Sequence, residues 1–483
     1  MASPPLTWKL RLAYAVGQLP EGIKSAAFGF FLLFYFNQVL GLPGTLAGIA
    51  LFIALCFDAV SDPLVGSLSD FTRTRWGRRH PYMYAAAIPF ALSFLLLFSP
   101  PDQLGQTGLF LWLLCFAVLV RTAMTFYQVP YLSLGAELSD NYDERTLLAA
   151  LRNVFQLVGM FAVLIGGNLL FFSASDSYAN GQLDPAAYFP FALACLPFLL
   201  VGVWGAALGT QSEVGRLRQP PTVTRHRMLR AAVGDVVTAF RIPAFGAIVG
   251  ASIVFGINQG MVQALHLYLA TYFFQLSAGQ ITLLFAGAIA GIILGSLLSR
   301  PAAALVPEKR VLFVIGTLWY AFWTSSVIIL RLLDVLPGDG DQVVARLYIA
   351  SGCVSAVGLG IAIPMIGSMI ADVTDEHERR HGLRQEGIYY AAASFAGKAV
   401  GGAGPILAGL IIDMAGIVPG SLPADIDPVA VARFGWAAGP TVVVLSLASV
   451  ACVAFYRISR EQHARILAEI QQRQRTNVPG GAG

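Results

Sequence analysis

Apolar stretches recur along this chain, among them residues 26–35, 84–98, 109–120 and 442–455, each separated from the next by a short polar loop. With its flanks, each stretch reaches the ~20 residues an α-helix needs to cross about 30 Å of hydrocarbon. Inside lipid the backbone must satisfy its own hydrogen bonds, so the stretches are expected to be helices; the alternation of a membrane-barrel strand is not seen. Asp, Glu, Lys and Arg make up only 12% of the 483 residues, about half the roughly 25% usual in soluble domains.

Twelve spans are expected, centred near residues 25, 57, 91, 122, 159, 198, 260, 289, 320, 358, 400 and 444. The first makes a poor signal peptide. It continues to Leu40 without a small-residue cleavage site and carries Glu21 and Lys24 inside it, so it is expected to be retained. The 31 Lys and Arg residues cluster in alternate loops, chiefly at 9–11, 73–79, 216–241, 300–310, 379–384 and 457–475. That asymmetry puts both termini in the cytoplasm of a plasma (inner) membrane protein. The net charge of +4 then reports topology, and no nucleic-acid partner is expected. Cys56, Cys115, Cys195, Cys353 and Cys452 all fall in apolar spans and read as small packing residues rather than as disulfides or a metal cluster.

The longest internal break, residues 210–241, contains Pro220-Pro221 and a basic stretch able to form an amphipathic helix on the inner membrane face. Six spans precede it and six follow. The expected fold is therefore all-α, with two pseudo-symmetric six-helix bundles at 1–209 and 242–460, the linker between them, and a partly disordered tail at 461–483. That is the major facilitator plan, in which solute binds near the bilayer midplane. Gly66-Ser67-Leu68-Ser69-Asp70 with Arg78-Arg79 is weakly echoed by Gly295-Ser296-Leu297-Leu298-Ser299 with Lys309-Arg310.

Charged groups inside lipid are costly, so each needs a partner or a task. Asp58 and Asp62 stand four residues apart in the second span, with both carboxylates on one helical face. Such a pair holds a cation, shares a proton, or braces helices by pairing with Arg or Lys. Two acids with no base on the same span fit a cation site better than a brace. Pro63 lacks the N–H that would bond the Ala59 carbonyl, freeing that oxygen as a further ligand. Arg152 and Lys398 are the positive counterparts in other spans. Glu21 and Lys24 are spaced to neutralise each other, and Arg121 needs a partner from another helix, with Glu21 a candidate. His266 reads either as a proton relay or, more often for a lone histidine, as a hydrogen-bonded helix residue. Asn258, Gln259 and Gln263 form a polar face that lines a cavity or glues helices. The loop carrying Gly66, Asp70, Arg73, Arg75, Gly77, Arg78 and Arg79 reads as a gate element, with Asp70 bonding the end of a neighbouring helix.

These segments resemble the glycoside–pentoside–hexuronide:cation symporters over nearly the whole chain. The matching pieces are DAVSDPLVGSLSDFTRTRWGRRHP, TFYQVPYLSL, the LRN at Arg152 and ADVTDEHERRHGLRQEGIYYAAASFAGK. The resemblance implies a Na+, Li+ or H+ site at Asp58, Ser61, Asp62 and Thr125, with Arg152 and Lys398 beside it and Lys398 mediating coupling. It also shows departures. Gly22 and Gln128 stand where the family's melibiose permease has two sugar-gripping acids, and Ser61 stands where that permease has an Asn.

The expected activity is cation:solute symport by alternating access, Na+ ahead of H+, with a glycoside, a uronide or a related organic solute. The candidate solute cavity comprises Glu21, Gly22, Lys24, Arg121, Gln128, Asn258, Gln259 and Gln263. A lysophospholipid or similar amphiphile is the alternative solute, and a non-transporting receptor or scaffold the alternative class. Beyond solute, coupling cation and lipid bilayer no partner is expected, and the protein is expected to be a monomer without cofactor or other metal. His377-Glu378-Arg379-Arg380-His381 matches HExxH formally, but two arginines inside the motif would repel Zn2+ and no third ligand follows, so no enzyme is expected.

Overall fold

The structure, a computed structural model, describes residues 6–139, 141–176, 178–216, 242–336, 342–381, 389, 392–393, 396–398, 400 and 402–476. Among these, twelve helices are long and apolar enough to cross a membrane. They are α1 (Trp8–Val39), α2 (Gly44–Phe71), α3 (His80–Leu97), α4 (Gln106–Glu137), α5 (Asp143–Leu170), α6 (Pro185–Arg216), α7 (Pro243–Phe273), α8 (Ala278–Leu305), α9 (Lys309–Leu332), α10 (Gln342–Arg380), α11 (Ala396–Ala415) and α12 (Pro428–Ala454). A further helix, α13 (Arg460–Thr476), follows. Each expected span has its helix. The chain is a multi-pass membrane protein.

The faces of α2 show why the sequence adopts this form. Ile53, Phe57, Val60, Leu64 and Leu68 are exposed along one side, while Ala54, Asp58, Ser61, Val65 and Ser69 are buried along the other. The spacings are helical, but the polarity is reversed relative to a soluble helix: large apolar groups face outward and the polar groups inward. In water such a surface would aggregate; in hydrocarbon it is the low-energy arrangement.

The chain divides into two compact units: Met1–Val223, Gly260–Ala286 and Gly402–Phe434 in the first, Thr224–Gln259, Gly287–Gly401 and Gly435–Gly483 in the second. Their boundaries pass through α7, α8, α11 and α12 as well as the linker. In the first unit α1 is the most enclosed span, 78% of its apolar window being buried against at most 50% in the others. It carries two π-helical segments, Ala27–Phe31 and Tyr35–Val39, a distortion that re-aims side chains at functional sites. Its polar end is tied to α7 by Tyr268 and Tyr272, whose hydroxyls donate to Asn37 Oδ1 at 2.9 Å and Gln38 Oε1 at 2.9 Å. Glycines bring α2 and α11 into backbone contact: a Cβ on Gly409 would lie 2.1 Å from the Gly44 carbonyl oxygen, and one on Gly48 2.5 Å from that of Pro405. Small residues at such crossings are the usual means of close helix packing in lipid.

In the second unit, α13 docks on α10. Asp372 accepts from Lys309 Nζ at 2.6 Å and from the Tyr456 hydroxyl at 3.0 Å, and His463 Nε2 lies 2.9 Å from Asp375 Oδ2. The tail, expected to be partly disordered over 461–483, is helical as far as Thr476. Ile466 is buried and Ile470 packs against the same cluster, which supplies the apolar anchor that a polar composition alone concealed. The basic stretch expected to form an amphipathic helix lies within 217–241, outside the described residues.

Candidate cation site

The candidate cation ligands Asp58, Asp62 and Thr125 meet where α2 crosses α4. Asp58 and Thr125 are buried, 6% and 2% exposed. Thr125 Oγ1 stands 2.7 Å from Asp58 Oδ1 and 3.0 Å from Asp62 Oδ1. A hydroxyl has one proton and so donates to one of these oxygens only. With both carboxylates ionised, the second contact sets lone pair against lone pair. An acid proton or a cation among the three oxygens would relieve that contact. Ser61 is on the same turn, but its hydroxyl donates to the backbone carbonyl of Asp58 at 3.2 Å; only its lone pairs remain for an ion.

Arg121 lies one turn before Thr125 on α4 and approaches the same carboxylate from the other side, Nη1 standing 3.3 Å from Asp58 Oδ2. Its candidate partner Glu21 is instead engaged within α1, at 2.8 Å from Lys24 Nζ and 2.9 Å from the Ser25 hydroxyl. The guanidinium carbon of Arg121 sits 5.2 Å from the centroid of the Phe28 ring, within cation–π range. Arg152 lies beside the Tyr14 hydroxyl, and Lys398 is a half-buried residue of α11 in the second unit.

The candidate solute residues divide between the two units. Gln128 Nε2 donates to Gln18 Oε1 at 3.2 Å, leaving Gln128 Oε1 buried and without a hydrogen-bond partner among the described residues. Gly22, expected at the cavity, is a packing residue: a Cβ there would lie 2.0 Å from the Gln156 carbonyl oxygen of α5. Asn258 is helix glue, donating to Ser446 Oγ at 2.9 Å, whereas Gln263 presses against Gly29 of α1. Gln259 is partly buried in α7, in the second unit. His266 lies in the last turns of α7. Its ring stacks on Phe285 at 5.1 Å and meets the edge of Phe30, and its Nε2 has no hydrogen-bond partner among the described residues.

In the basic loop, Gly77 takes a φ of 84°, a left-handed turn that glycine adopts at no steric cost. The turn folds Arg78 and Arg79 back onto the end of α4, where both meet Glu137, at 2.7 and 3.1 Å. Asp70 pairs with Arg79 at 2.5 Å, the residue that caps the start of α3. Gly66 is on the α2 face that packs on Val129, Arg75 covers Trp76, and Arg73 is exposed. In the HExxH match, His377 Nδ1 lies 2.9 Å from the Tyr389 hydroxyl, and the side chain of His381 is outside the described residues.

Sequence reasoning missed Asp413. Its carboxylate accepts from the backbone N–H groups of Gly44 and Thr45 at 2.8 and 2.7 Å, across from α11 to the start of α2. The spacing of Gly44 and Gly48, with an acid in the otherwise apolar 403–415 segment, was the available signal.

A family model described as MFS/sugar transport protein matches residues 13–460. The chain belongs to that family. Its members are transporters, not enzymes, and most of the relatives found are named as symporters. An uncharacterized symporter of Synechocystis is 28% identical over 99% of both chains. The isoprimeverose transporter of Lactiplantibacillus pentosus is 26% identical over 85% of this chain and 81% of its own. The sodium-dependent lysophosphatidylcholine symporter 1 of Gallus gallus is 36% identical over 31% of this chain and 28% of its own. These relatives support the glycoside–pentoside–hexuronide:cation group within the MFS. Among solved structures, a D-xylose–proton symporter superposes with a TM-score of 0.59 at 13% identity, covering 94% of this chain and 98% of that one; it shows the fold. This family member is a cation-coupled solute symporter.

Proposed function

We propose that the coupling ion is Na+, held by Asp58, Asp62 and Thr125 with Ser61 at the margin, and that the co-transported solute is an anionic glycoside such as a uronide. The observation that carries the ion site is the Thr125 hydroxyl set between two carboxylates it cannot satisfy with one proton. An oxygen-only ligand set of this kind suits a hard cation. Li+ fits the same set, and H+ is the competing coupling ion.

For the solute, the polar groups of the first unit around Gln128 and Arg121 include a buried acceptor, Gln128 Oε1, and a buried donor, Arg121 Nε, neither with a protein partner among the described residues. Such groups are costly unless a ligand or water completes them. A hydroxyl for the first and an anionic oxygen for the second are what a uronide brings. A lysophospholipid also carries an anionic group, but the relative named for that solute matches only 31% of this chain. The two six-helix halves, the loop at 66–79 as a gate element, Lys398 and Arg152 as charge partners, a monomeric plasma-membrane protein and cytoplasmic termini complete this reading.

The test is uptake of a labelled glucuronide into right-side-out vesicles at fixed pH, with and without an inward Na+ gradient. Stimulation by Na+ that survives a protonophore is the expected result. Indifference to Na+ with collapse on adding the protonophore assigns the coupling to H+ instead.

A further inference from the structure

Asp58 is held on both oxygens by a single helix. Thr125 takes Oδ1 at 2.7 Å, and Arg121, one turn earlier on α4, takes Oδ2 at 3.3 Å. An ion seated among Asp58, Asp62 and Thr125 would therefore share its carboxylate with a guanidinium. Two cations on one carboxylate repel each other, and in a buried site that repulsion is weakly screened. Ion entry and the Arg121–Asp58 contact are thus in competition.

Two features make Arg121 suited to yield. Its contact is long for a charge-assisted bond, which ordinarily closes to 2.7–2.9 Å; Arg11 and Glu144 in the same unit meet at 2.6 Å. And its guanidinium has other interactions to retain. It lies over the Phe28 ring at 5.2 Å, is 14% exposed, and carries a buried Nε–H with no partner among the described residues.

We propose that Arg121 is a tethered competitor of the coupling cation and, once displaced from Asp58, the receptor for the solute's anionic group. Ion binding releases Nη1 from Asp58, and the freed guanidinium offers its planar pair of donors to a carboxylate. The cation then raises the affinity for an anionic solute, and by linkage the solute raises the affinity for the cation by the same factor. A neutral solute gains nothing from the exchange. This inference rests on the cation site proposed above; Arg121 is a specificity-determining residue added to it.

The alternative is that Arg121 is a brace between α4 and α2. The two roles give opposite signs, because losing a brace disorders Asp58 and weakens the ion, while losing a competitor strengthens it.

The experiment is equilibrium binding of radioactive Na+ to the purified full chain in nanodiscs, alone and with methyl glucuronide or methyl glucoside. Arg121→Gln is expected to tighten Na+ binding in the absence of solute by about tenfold, the scale of a hydrogen bond to a charged group. Arg121→Lys, which keeps the charge, is expected to stay near the wild type. Glucuronide should tighten Na+ binding in the wild type, glucoside should not, and in Arg121→Gln neither should. Unchanged or weaker Na+ binding by Arg121→Gln, with binding lost in Asp58→Asn, overturns the role of Arg121 while sparing the ion site. Normal Na+ binding by Asp58→Asn, or none by the wild type, overturns the ion site and the inference with it. Should Arg121→Gln fail to fold, the wild type still decides: equal effects of glucuronide and glucoside on Na+ affinity overturn the proposal.

Discussion

The carboxylate of Asp413 spans the first two backbone N–H groups of α2, meeting Gly44 N at 2.8 Å and Thr45 N at 2.7 Å. These are donors that a helix cannot satisfy internally, and they lie at the positive end of its dipole. The cap comes from another helix rather than from the residue before α2, which is Pro43 and has no side-chain acceptor. One acid therefore both completes α2 and ties α11 to it.

Replacing Asp413 by Ala removes that cap. A lost N-cap costs about 0.5–2 kcal/mol, and the two N–H groups lose their carboxylate partner at a partly buried helix end. Thermal unfolding in detergent is expected to shift down for Asp413→Ala and much less for Asp413→Asn, which keeps an acceptor oxygen. Equal melting temperatures for Asp413→Ala and the wild type would show that water or a neighbouring group serves in its place.

The glycine contact between the same helices is a stronger constraint. A methyl group on Gly409 would stand 2.1 Å from a backbone carbonyl, and a backbone cannot turn aside as a side chain can. Gly409→Ala is expected to cost more than Asp413→Ala, on the order of the 1–3 kcal/mol typical of overpacking. Gly166→Ala, where a Cβ meets nothing within 4 Å, is the control expected to melt with the wild type. Comparable melting of all three proteins would mean that α2 and α11 do not approach this closely.

At the ion site, the hydroxyl of Thr125 is separable from its bulk. Thr125→Val keeps the shape and loses the oxygen, whereas Thr125→Ser keeps the oxygen. A hydrogen bond or ligand to a charged group is worth about 1.5–3 kcal/mol, so Thr125→Val is expected to raise the half-saturating Na+ concentration by a factor of about ten or more, with Thr125→Ser close to the wild type. Indistinguishable Na+ dependence in Thr125→Val would remove Thr125 from the ligand set.

Neutral disaccharides such as melibiose are expected to be poor solutes, and the two replaced acids differ in how readily they can be restored. Gln128 has a partner in Gln18 and Asp is the smaller side chain, so Gln128→Asp is expected to fold and to shift competition toward neutral galactosides. Gly22 has a carbonyl oxygen 2.0 Å from where its Cβ would be, so Gly22→Asp is expected to lose protein rather than gain a sugar. Competition of melibiose against labelled glucuronide in vesicles, with protein level measured alongside, reads both. Tight melibiose transport by the unmodified protein would show that the missing acids are not what sets the preference.

The spans were legible because lipid imposes one rule along the whole chain, and every expected centre falls in a helix. Asp58 and Asp62 were legible as a pair because a four-residue spacing fixes a common face on any helix. The partner of Arg121 was not, since the choice between Glu21 and Asp58 depends on the register of α4 against α1 and α2, which no local spacing records. Gly22 misled for a related reason. A glycine reads the same whether it opens a cavity or lets two backbones touch, and only the position of Gln156 across the crossing distinguishes them. Asp413 went unread because its task is set by α2, 368 residues from it along the chain at Thr45.

The central claim, that Asp58 and Asp62 couple ion to solute, is tested most directly by one paired measurement on Asp58→Asn and Asp62→Asn. Gradient-driven net uptake of labelled solute is compared with exchange of that solute across vesicles equilibrated in Na+. The account predicts that net uptake and its stimulation by Na+ are lost in each variant while solute exchange persists. Cation-stimulated net uptake at the wild-type level in the double variant would contradict it.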